Sequence, residues 1–223
     1  MYIDIHRHSE DNGKAQFVLR NLFPDQLSEI RPNNYYSVGL HPWFVNENSL
    51  NTDIRSIDEV CNSRNILALG ETGLDKVKPI PFEWQLKAFQ KQVELAESIQ
   101  KPVIIHCVKA YSEVISIRKK LKATQPWIFH WFNASMQLAK ELIEGGCYMS
   151  FGHMLFHKNS RACKSFLEVP FDKLFLETDD ASYNIEEIYK QASVLRKISE
   201  EELIQQVIRN FEKVFKIEIK DVL

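Results

Sequence analysis

The chain has 223 residues, of which 44% are hydrophobic and 26% are charged, and this composition excludes a disordered or fibrous protein. Its 28 basic and 30 acidic residues give a formal net charge of −2, which argues against a broad nucleic-acid-binding surface. No apolar stretch approaches the roughly 20 residues of a membrane-spanning helix, and no basic and apolar leader precedes the first strand. We therefore expect one cytoplasmic domain over residues 1–223, with no membrane partner and no obligate protein partner.

The first predicted element is a short strand at the N-terminus. Its side chains alternate between apolar and polar from residue 2 to His8, and such alternation is typical of a strand. Residues two apart in a strand point to the same face, so His6 and His8 project side by side. This pair of imidazoles predicts a metal site.

Apolar runs alternate with helical patterns along the rest of the chain, which favours an α/β fold with parallel strands. The eight predicted strands lie near residues 2–6, 16–20, 35–39, 66–70, 102–106, 127–131, 147–151 and 173–177. A brief helix, Asp25–Ile30, follows the second strand; the clearest helix spans Glu83–Gln100, and a final helix begins after Ser199. We predict a single (β/α)8 TIM barrel, somewhat distorted and compact, because the fold typically has about 250 residues.

Four later strands lead into a side chain that can bind a metal ion. Because the active site of a (β/α)8 barrel lies at the C-terminal ends of its strands, we expect these side chains to converge with His6 and His8. Imidazoles and carboxylates suit Zn²⁺, Mn²⁺ or Fe²⁺, or Mg²⁺ where imidazoles are fewer, and six ligands are enough for two divalent ions. The four are Glu71, His106, His130 and Asp179.

Glu71 and Asp179 are the predicted catalytic residues. One carboxylate can bind two ions at once, and we expect Glu71 to be this bridge. Two ions about 4 Å apart polarise a phosphoryl oxygen, generate hydroxide and stabilise the leaving oxygen. Asp179 can hold a metal and relay a proton to the leaving group. Glu177 is expected to support the ligands from behind rather than to bind metal. A single histidine at a strand end is more often structural, so the prediction rests on repetition over several strands.

Seven segments in this order resemble the TatD family of metal-dependent deoxyribonucleases, which belongs to the amidohydrolase-like barrels. These segments are distributed along nearly the whole chain: Asp4-x-His6-x-His8, Val38–Pro42, Leu69–Asp75, Pro102–His106, His130-x-Phe132, Glu177–Asp179 and Asn210–Phe215. The resemblance implies a distorted TIM barrel that binds one to three divalent metals through the same six ligands. It also implies cleavage of phosphodiester bonds, often from a 3′ end. By the same pattern His41 lies at the mouth, where we expect it to bind a substrate phosphate or transfer a proton; a structural hydrogen bond is the alternative.

The loops after the strands depart from the family pattern. The usual Arg after the fourth-strand histidine is absent, and Lys109 offers only a point charge without the bidentate fork of Arg. Trp131 follows His130 where the family usually has Cys, and Asp180–Ser182 lacks the usual proline. We expect Lys109 and Trp131 to bind substrate. The exposed aromatics expected beyond strand ends either stack on bases or cover the barrel rim; these are Trp43, Phe44, Trp131 and Phe132.

Three functions fit these patterns. The first is a phosphodiesterase of TatD type that acts on DNA ends or on a small phosphoester. The second is an amidohydrolase that acts on a small amide, lactone or aminoacyl ester, since a metal-activated water serves both reactions and the barrel does not separate them. The third is a barrel that binds or scaffolds without turnover, and the complete ligand set argues against it.

Overall fold

The computed structural model describes residues 1–9 and 17–222, so Gln16, the first residue of the second predicted strand, lies outside the described residues. The strands are β1 (Ile3–Arg7), β2 (Phe17–Leu22), β3 (Tyr35–Val38), β4 (Ile66–Asp75), β5 (Val103–Val108), β6 (Trp127–Phe129), β7 (Tyr148–Phe151) and β8 (Leu174–Leu176). The helices are α1 (Leu50–Cys61), α2 (Phe82–Ser98), α3 (Tyr111–Leu121), α4 (Met136–Glu144), α5 (Arg161–Phe166), α6 (Ile185–Arg196) and α7 (Glu200–Phe215). Among the described residues, no helix combines the length and the apolar character needed to cross a membrane.

All eight predicted strands are present, and they follow one another in chain order in one sheet. The main difference is at β4, which extends to Asp75, five residues beyond the predicted end, so that Glu71 lies within the strand. By contrast, β6 is shorter than predicted: it ends at Phe129, so the ligand candidate His130 lies just beyond the strand. The predicted helix after β2 is a short 3-10 helix, Pro24–Glu29. This segment has only six residues, and 3-10 geometry is common in such short connecting pieces.

The chain forms two compact units, each of which has its own core. One unit contains Met1–Arg20 and Phe129–Leu223, and the other contains Asn21–Ile128. In the first, the buried side chains of α7, such as Leu203 and Phe211, lie on one face of the helix. Ser199 begins this helix by accepting a hydrogen bond from the backbone N–H of Glu202 (3.1 Å), as expected for a serine at an N-cap.

In the first unit, the segment after β8 is bonded to β1. The Asp179 N–H donates to the His6 carbonyl (2.9 Å). One residue earlier, the Thr178 N–H and hydroxyl both donate to the buried Asp4 carboxylate, at 3.0 and 2.5 Å. Burial raises the pKa of Asp4 to about 6, although these bonds oppose the rise. This attachment places Asp179 beside the end of β1.

In the second unit, Gln92 on α2 connects the chain after β3 to β4. Its side-chain oxygen accepts from the Leu40 N–H (2.7 Å), and its NH₂ donates to the Leu40 carbonyl (3.1 Å) and the Thr72 hydroxyl (2.6 Å). Gln92 is fully buried, so each of these polar groups requires its partner. The amide therefore fixes the backbone next to His41.

In the second unit, β4 and β5 approach each other closely at Gly73. Gly73 pairs with His106 in the parallel register, and its φ of 150° lies in a region that side chains other than glycine rarely adopt. A Cβ atom at this position would lie 1.9 Å from the His106 carbonyl oxygen. Only glycine therefore permits this spacing between the two strands.

We predict that Gly73→Ala lowers the free energy of unfolding by about 3 kcal/mol, because the added methyl overlaps backbone and the φ is unfavourable. Urea denaturation followed by circular dichroism measures the change. Gly145→Ala is the matched control: its Cβ would lie 3.3 Å from the nearest atom and its φ is −75°. Equal stability of the two variants would contradict the prediction.

Candidate metal centres

The first cluster of metal-capable side chains lies in the unit that contains both chain ends. Asp179 is its central carboxylate: Oδ1 lies 3.3 Å from His8 Nε2 and 3.7 Å from His6 Nε2. The ring of His130 lies beside that of His6, with 4.4 Å between centroids. Ligand atoms of His6, His130 and Asp179 all lie within 4.8 Å of one another, and Asp180 joins His8 and Asp179 in a second such group.

Local backbone geometry positions these side chains. His6 and His8 lie two residues apart at the end of β1 and just beyond it, as the alternation predicts. Asp179 adopts a left-handed conformation with φ of 51°, which Asp tolerates better than most residues. His6 is fully buried, whereas the His8 side chain is 22% exposed, so the cluster opens to solvent on the His8 side.

Glu177 contacts the chain at His130 and Trp131, and this position suits the supporting role predicted for it. Its Oε1 accepts a hydrogen bond from the Trp131 N–H and lies 3.9 Å from His130 Nδ1. Burial raises the pKa of Glu177 to about 8, and the nearby His130 opposes this rise. A side chain two residues from Asp179 thus holds the backbone that follows His130.

The second cluster lies in the other unit and is built around Glu71. Its Oε1 lies 3.0 Å from His41 Nε2 and 2.8 Å from His106 Nδ1. The two rings are 4.4 Å apart, and all three side chains are buried to within about a tenth of their surface. The Glu71 N–H donates to the Asn21 side-chain oxygen, which also accepts from the Ser37 hydroxyl (2.9 Å). These bonds fix the backbone at Glu71.

The tautomer of His41 bears on its role. Its Nδ1 accepts a hydrogen bond from the Trp43 N–H (3.2 Å), so a neutral ring carries its proton on Nε2. Nε2 faces Glu71 and is therefore a donor rather than a metal ligand. The contact with Glu71 is a structural hydrogen bond, the alternative given for His41, and a role in substrate binding or proton transfer stays a prediction. Glu71 and His106 remain the ligand candidates of the second cluster.

Asp75 is the site residue that the sequence analysis missed. Its Oδ2 accepts from Trp43 Nε1 (2.6 Å) and lies 3.3 Å from His106 Nε2. Burial raises the pKa of Asp75, but hydrogen bonds from Trp43, Val77 and His106 outweigh burial and hold the pKa below its usual value. Asp75 is the last residue of β4, so it stands at a strand end, where the sequence pattern predicts ligands. The predicted strand ended at residue 70, and Asp75 was therefore not considered.

The donor sets fit divalent metals. Imidazole nitrogens with carboxylate oxygens suit Zn²⁺, Mn²⁺ and Fe²⁺, and both clusters hold a carboxylate oxygen that faces two ring nitrogens. Metal-binding histidines commonly have a second partner on the other ring nitrogen, and His106 meets this condition through Glu71 and Asp75.

The predicted substrate residues follow ligand candidates in the chain. Lys109 is exposed and immediately follows β5, two residues beyond Cys107. Trp131 is 41% exposed, and Trp43 and Phe44 are exposed as well. Phe132 is different: it is fully buried and packs against Phe151, so it belongs to the core and cannot stack on a base.

A cavity of about 470 Å³ lies in the second unit, next to His41. Phe23 and Phe44 contribute rings to its lining, and Asp25 and Asp53 contribute carboxylates. Two carboxylates repel an anion, so this cavity does not suit a phosphate group.

Comparison with known proteins identifies the relatives of this chain. Residues 24–216 match the family described as TatD related DNase. The uncharacterized metal-dependent hydrolase YcfH of Escherichia coli is 27% identical over 204 residues, which cover 84% of this chain and 76% of YcfH. The uncharacterized metal-dependent hydrolase YabD of Bacillus subtilis is 28% identical over 200 residues, 82% of this chain and 78% of YabD.

A solved structure confirms the predicted fold class. The crystal structure of YJJV, a TatD homologue from Escherichia coli, superposes with a TM-score of 0.86 at 20% identity and covers 97% of this chain and 98% of its own. With eight strands in chain order that alternate with helices, this likeness establishes the (β/α)8 barrel fold.

We predict that Trp43→Phe raises the pKa of Asp75, because it removes the indole N–H that stabilises the carboxylate. A carboxylate whose pKa is lowered in the native state contributes stability that is present above the unfolded pKa and is lost as pH falls through the native pKa. The acid unfolding midpoint of the variant should therefore move to higher pH. Carboxyl NMR titration and acid denaturation of EDTA-treated protein measure both effects, with Trp84→Phe on α2 as control. An unchanged Asp75 pKa would refute this account of the Trp43 contact.

Proposed function

This chain belongs to the TatD family and is a metal-dependent hydrolase, and from that premise we propose that it cleaves phosphodiester bonds of DNA, releasing nucleotides from a 3′ end. The observation that carries the proposal is the same in both clusters. In each, a carboxylate oxygen lies close to imidazole nitrogens that could bind the same ion: Asp179 Oδ1 is 3.3 Å from His8 Nε2 and 3.7 Å from His6 Nε2, and Glu71 Oε1 is 2.8 Å from His106 Nδ1. Two such groups are what a two-ion hydrolase requires.

We assign one divalent ion to each cluster. His6, His8, His130 and Asp179 would hold the first, and Glu71 and His106 would hold the second. When bound, the ions supply Lewis-acid polarisation of the scissile phosphate and an activated water. The single-domain expectation for residues 1–223 and the bridging role of Glu71 stay predictions.

The residues of the chain have separate roles in this reaction. Asp179 is buried next to the partly exposed His8 and is suited to take a proton from water and pass it to the leaving oxygen. The Nε2–H of His41 donates to Glu71 in the structure and is suited to donate instead to a phosphate oxygen that enters beside Glu71. The Trp43 N–H on Nδ1 keeps the ring in the tautomer that presents this hydrogen.

Lys109 and Trp131 are the proposed substrate contacts. Lys109 provides a positive charge directly after His106 and Cys107, where a phosphate would approach. Trp131 presents an exposed ring directly after His130. Lys109 and Trp131 each follow a strand that leads to a ligand candidate, His106 or His130, and we propose that the substrate contacts them there.

An amidohydrolase that acts on a small amide, lactone or aminoacyl ester is the alternative. It would use the same imidazole and carboxylate ligands, and a tetrahedral transition state needs no cation at Lys109. Metal preference and the effect of Lys109→Ala separate the two functions. Phosphodiester cleavage predicts Mg²⁺ or Mn²⁺ dependence and loss of activity in Lys109→Ala, whereas amide hydrolysis predicts zinc dependence and little effect.

We predict two bound divalent ions per chain after EDTA treatment and reloading with Mn²⁺. His130→Ala and His106→Ala should each lose one ion, because each removes a ligand candidate that belongs to one cluster only. Metal analysis after gel filtration measures the ratio. His157→Ala, which removes an exposed histidine outside both clusters, should keep two ions. Loss of both ions in either ligand variant would show that the clusters do not bind independently.

We also predict stepwise shortening of a 5′-labelled single-stranded oligonucleotide in the presence of Mg²⁺ or Mn²⁺. Asp179→Asn should lower the rate at least a hundredfold, the usual effect of losing a proton-transfer group. Asp172→Asn, at an exposed carboxylate of the same unit, should keep the wild-type rate. Metal-loaded protein that shortens no oligonucleotide, but hydrolyses a lactone or a cyclic amide, would replace the nuclease by the alternative.

A further inference from the structure

We propose that Trp131, His153, Phe156 and Tyr183 form an aromatic platform on which a base of the single-stranded substrate stacks. The inference rests on the proposed nuclease function and names the part of the substrate that the first unit recognises. These four residues come from the three loops that follow β6, β7 and β8. All four lie in the same unit as His6, His8, His130 and Asp179.

The rings of the platform are arranged as a connected stack. The Tyr183 ring is nearly parallel to that of Phe156, at 4.5 Å and 13°, and to that of His153, at 6.0 Å and 5°. Trp131 meets His153 edge to face at 5.1 Å. Rings in such contact hold one another in place, which lowers the entropic cost of binding a further planar ring.

Two rings of the platform are exposed to solvent, although large apolar side chains are more often buried. Trp131 is 41% exposed and Tyr183 is 37% exposed. In the described part of the first unit, the other large exposed apolar side chains are the aliphatic Leu167 and Val194. The two exposed rings of this unit thus occur together, and both follow a residue of the first cluster, His130 or Asp179, in the chain.

The backbone at Trp131 is held in an unfavourable conformation. Its φ of 42° lies in the left-handed region, which is uncommon for a bulky residue. The buried Glu177 accepts a hydrogen bond from the Trp131 N–H and thereby holds this conformation. Strain of this kind occurs at ligand contacts, where the surrounding structure fixes a side chain in one orientation.

Two basic residues that follow the platform in the chain favour a nucleotide over an apolar ligand. Lys158 and Arg161 are exposed and follow Phe156 closely in the chain. Aromatic rings beside basic side chains are typical of proteins that bind single-stranded nucleic acid, where bases stack and the cations meet the backbone. Stacking does not read the base edge, so we expect little preference for sequence.

Tyr183→Leu tests the platform, because leucine keeps an apolar side chain but removes the ring. Tyr183→Phe keeps the ring and should behave as wild type. Two single-stranded oligonucleotides are compared, one with all bases and one with abasic residues at its last three 3′ positions. We expect Tyr183→Leu to raise KM about tenfold for the first oligonucleotide and to leave KM for the second unchanged. Val194→Ala, which changes an exposed apolar residue on α6 of the same unit, should change neither.

A binding measurement keeps the test separate from the proposed function. Fluorescence anisotropy of the same two oligonucleotides is recorded in EDTA, where no cleavage occurs. Tighter binding of the base-bearing oligonucleotide, lost in Tyr183→Leu and kept in Tyr183→Phe, supports the platform even if neither oligonucleotide is cleaved with metal. Equal binding of both oligonucleotides, no binding of either, or an equal effect of Tyr183→Leu on both would overturn it.

Discussion

The pairing of parallel strands is the constraint on which both clusters depend. A strand that runs in the same direction as its neighbour brings its C-terminal end to the same edge, so a side chain at that end meets the ligands of the next strand. In the second unit, β4 and β5 approach so closely at Gly73 that a Cβ has no room. This spacing sets Glu71 and Asp75 on either side of the His106 ring. In the first unit, the bond from Asp179 N–H to the His6 carbonyl has the same effect.

Buried polar groups behind the ligands maintain this geometry. Asn21, Gln92 and Glu177 are each buried, and each bonds a backbone group next to a histidine or carboxylate of a cluster. Each bond offsets part of the cost of burying a polar side chain and fixes the backbone at or next to a ligand candidate. The clusters therefore combine concentrated ionisable groups with a rigid support, which is the condition for binding an ion with defined geometry.

Strands position the ligand candidates and loops carry the proposed substrate contacts, and this separation explains the departures from the family pattern. Ligand candidates lie within strands, as Glu71 and His106 do, or just beyond their ends, as His130 does, where the sheet fixes them. Lys109, Trp131 and Tyr183 stand in the loops that follow, where sequence changes disturb the core least. The ligand candidates keep the family pattern while the loops that follow them depart from it, and in the first unit those loops carry the exposed rings of Trp131 and Tyr183.

The sequence by itself determined the order of strands, the fold class and six ligand candidates, because alternation, apolar runs and the residue after each run are local properties of the chain. It could not determine the length of β4, since the run Glu71–Asp75 is polar in composition but fully buried. Asp75 was missed for that reason.

Tertiary structure alone decided three further points. His41 is a hydrogen-bond donor to Glu71 because the Trp43 N–H occupies its other nitrogen. Phe132 is buried, whereas its neighbour Trp131 is exposed, because the left-handed backbone at Trp131 turns one ring outward and the next inward. The Tyr183 ring contacts those of Phe156 and His153 only because folding brings two separate loops together. In each case the deciding contact joins residues that no sequence period relates, so only the packed fold could show it.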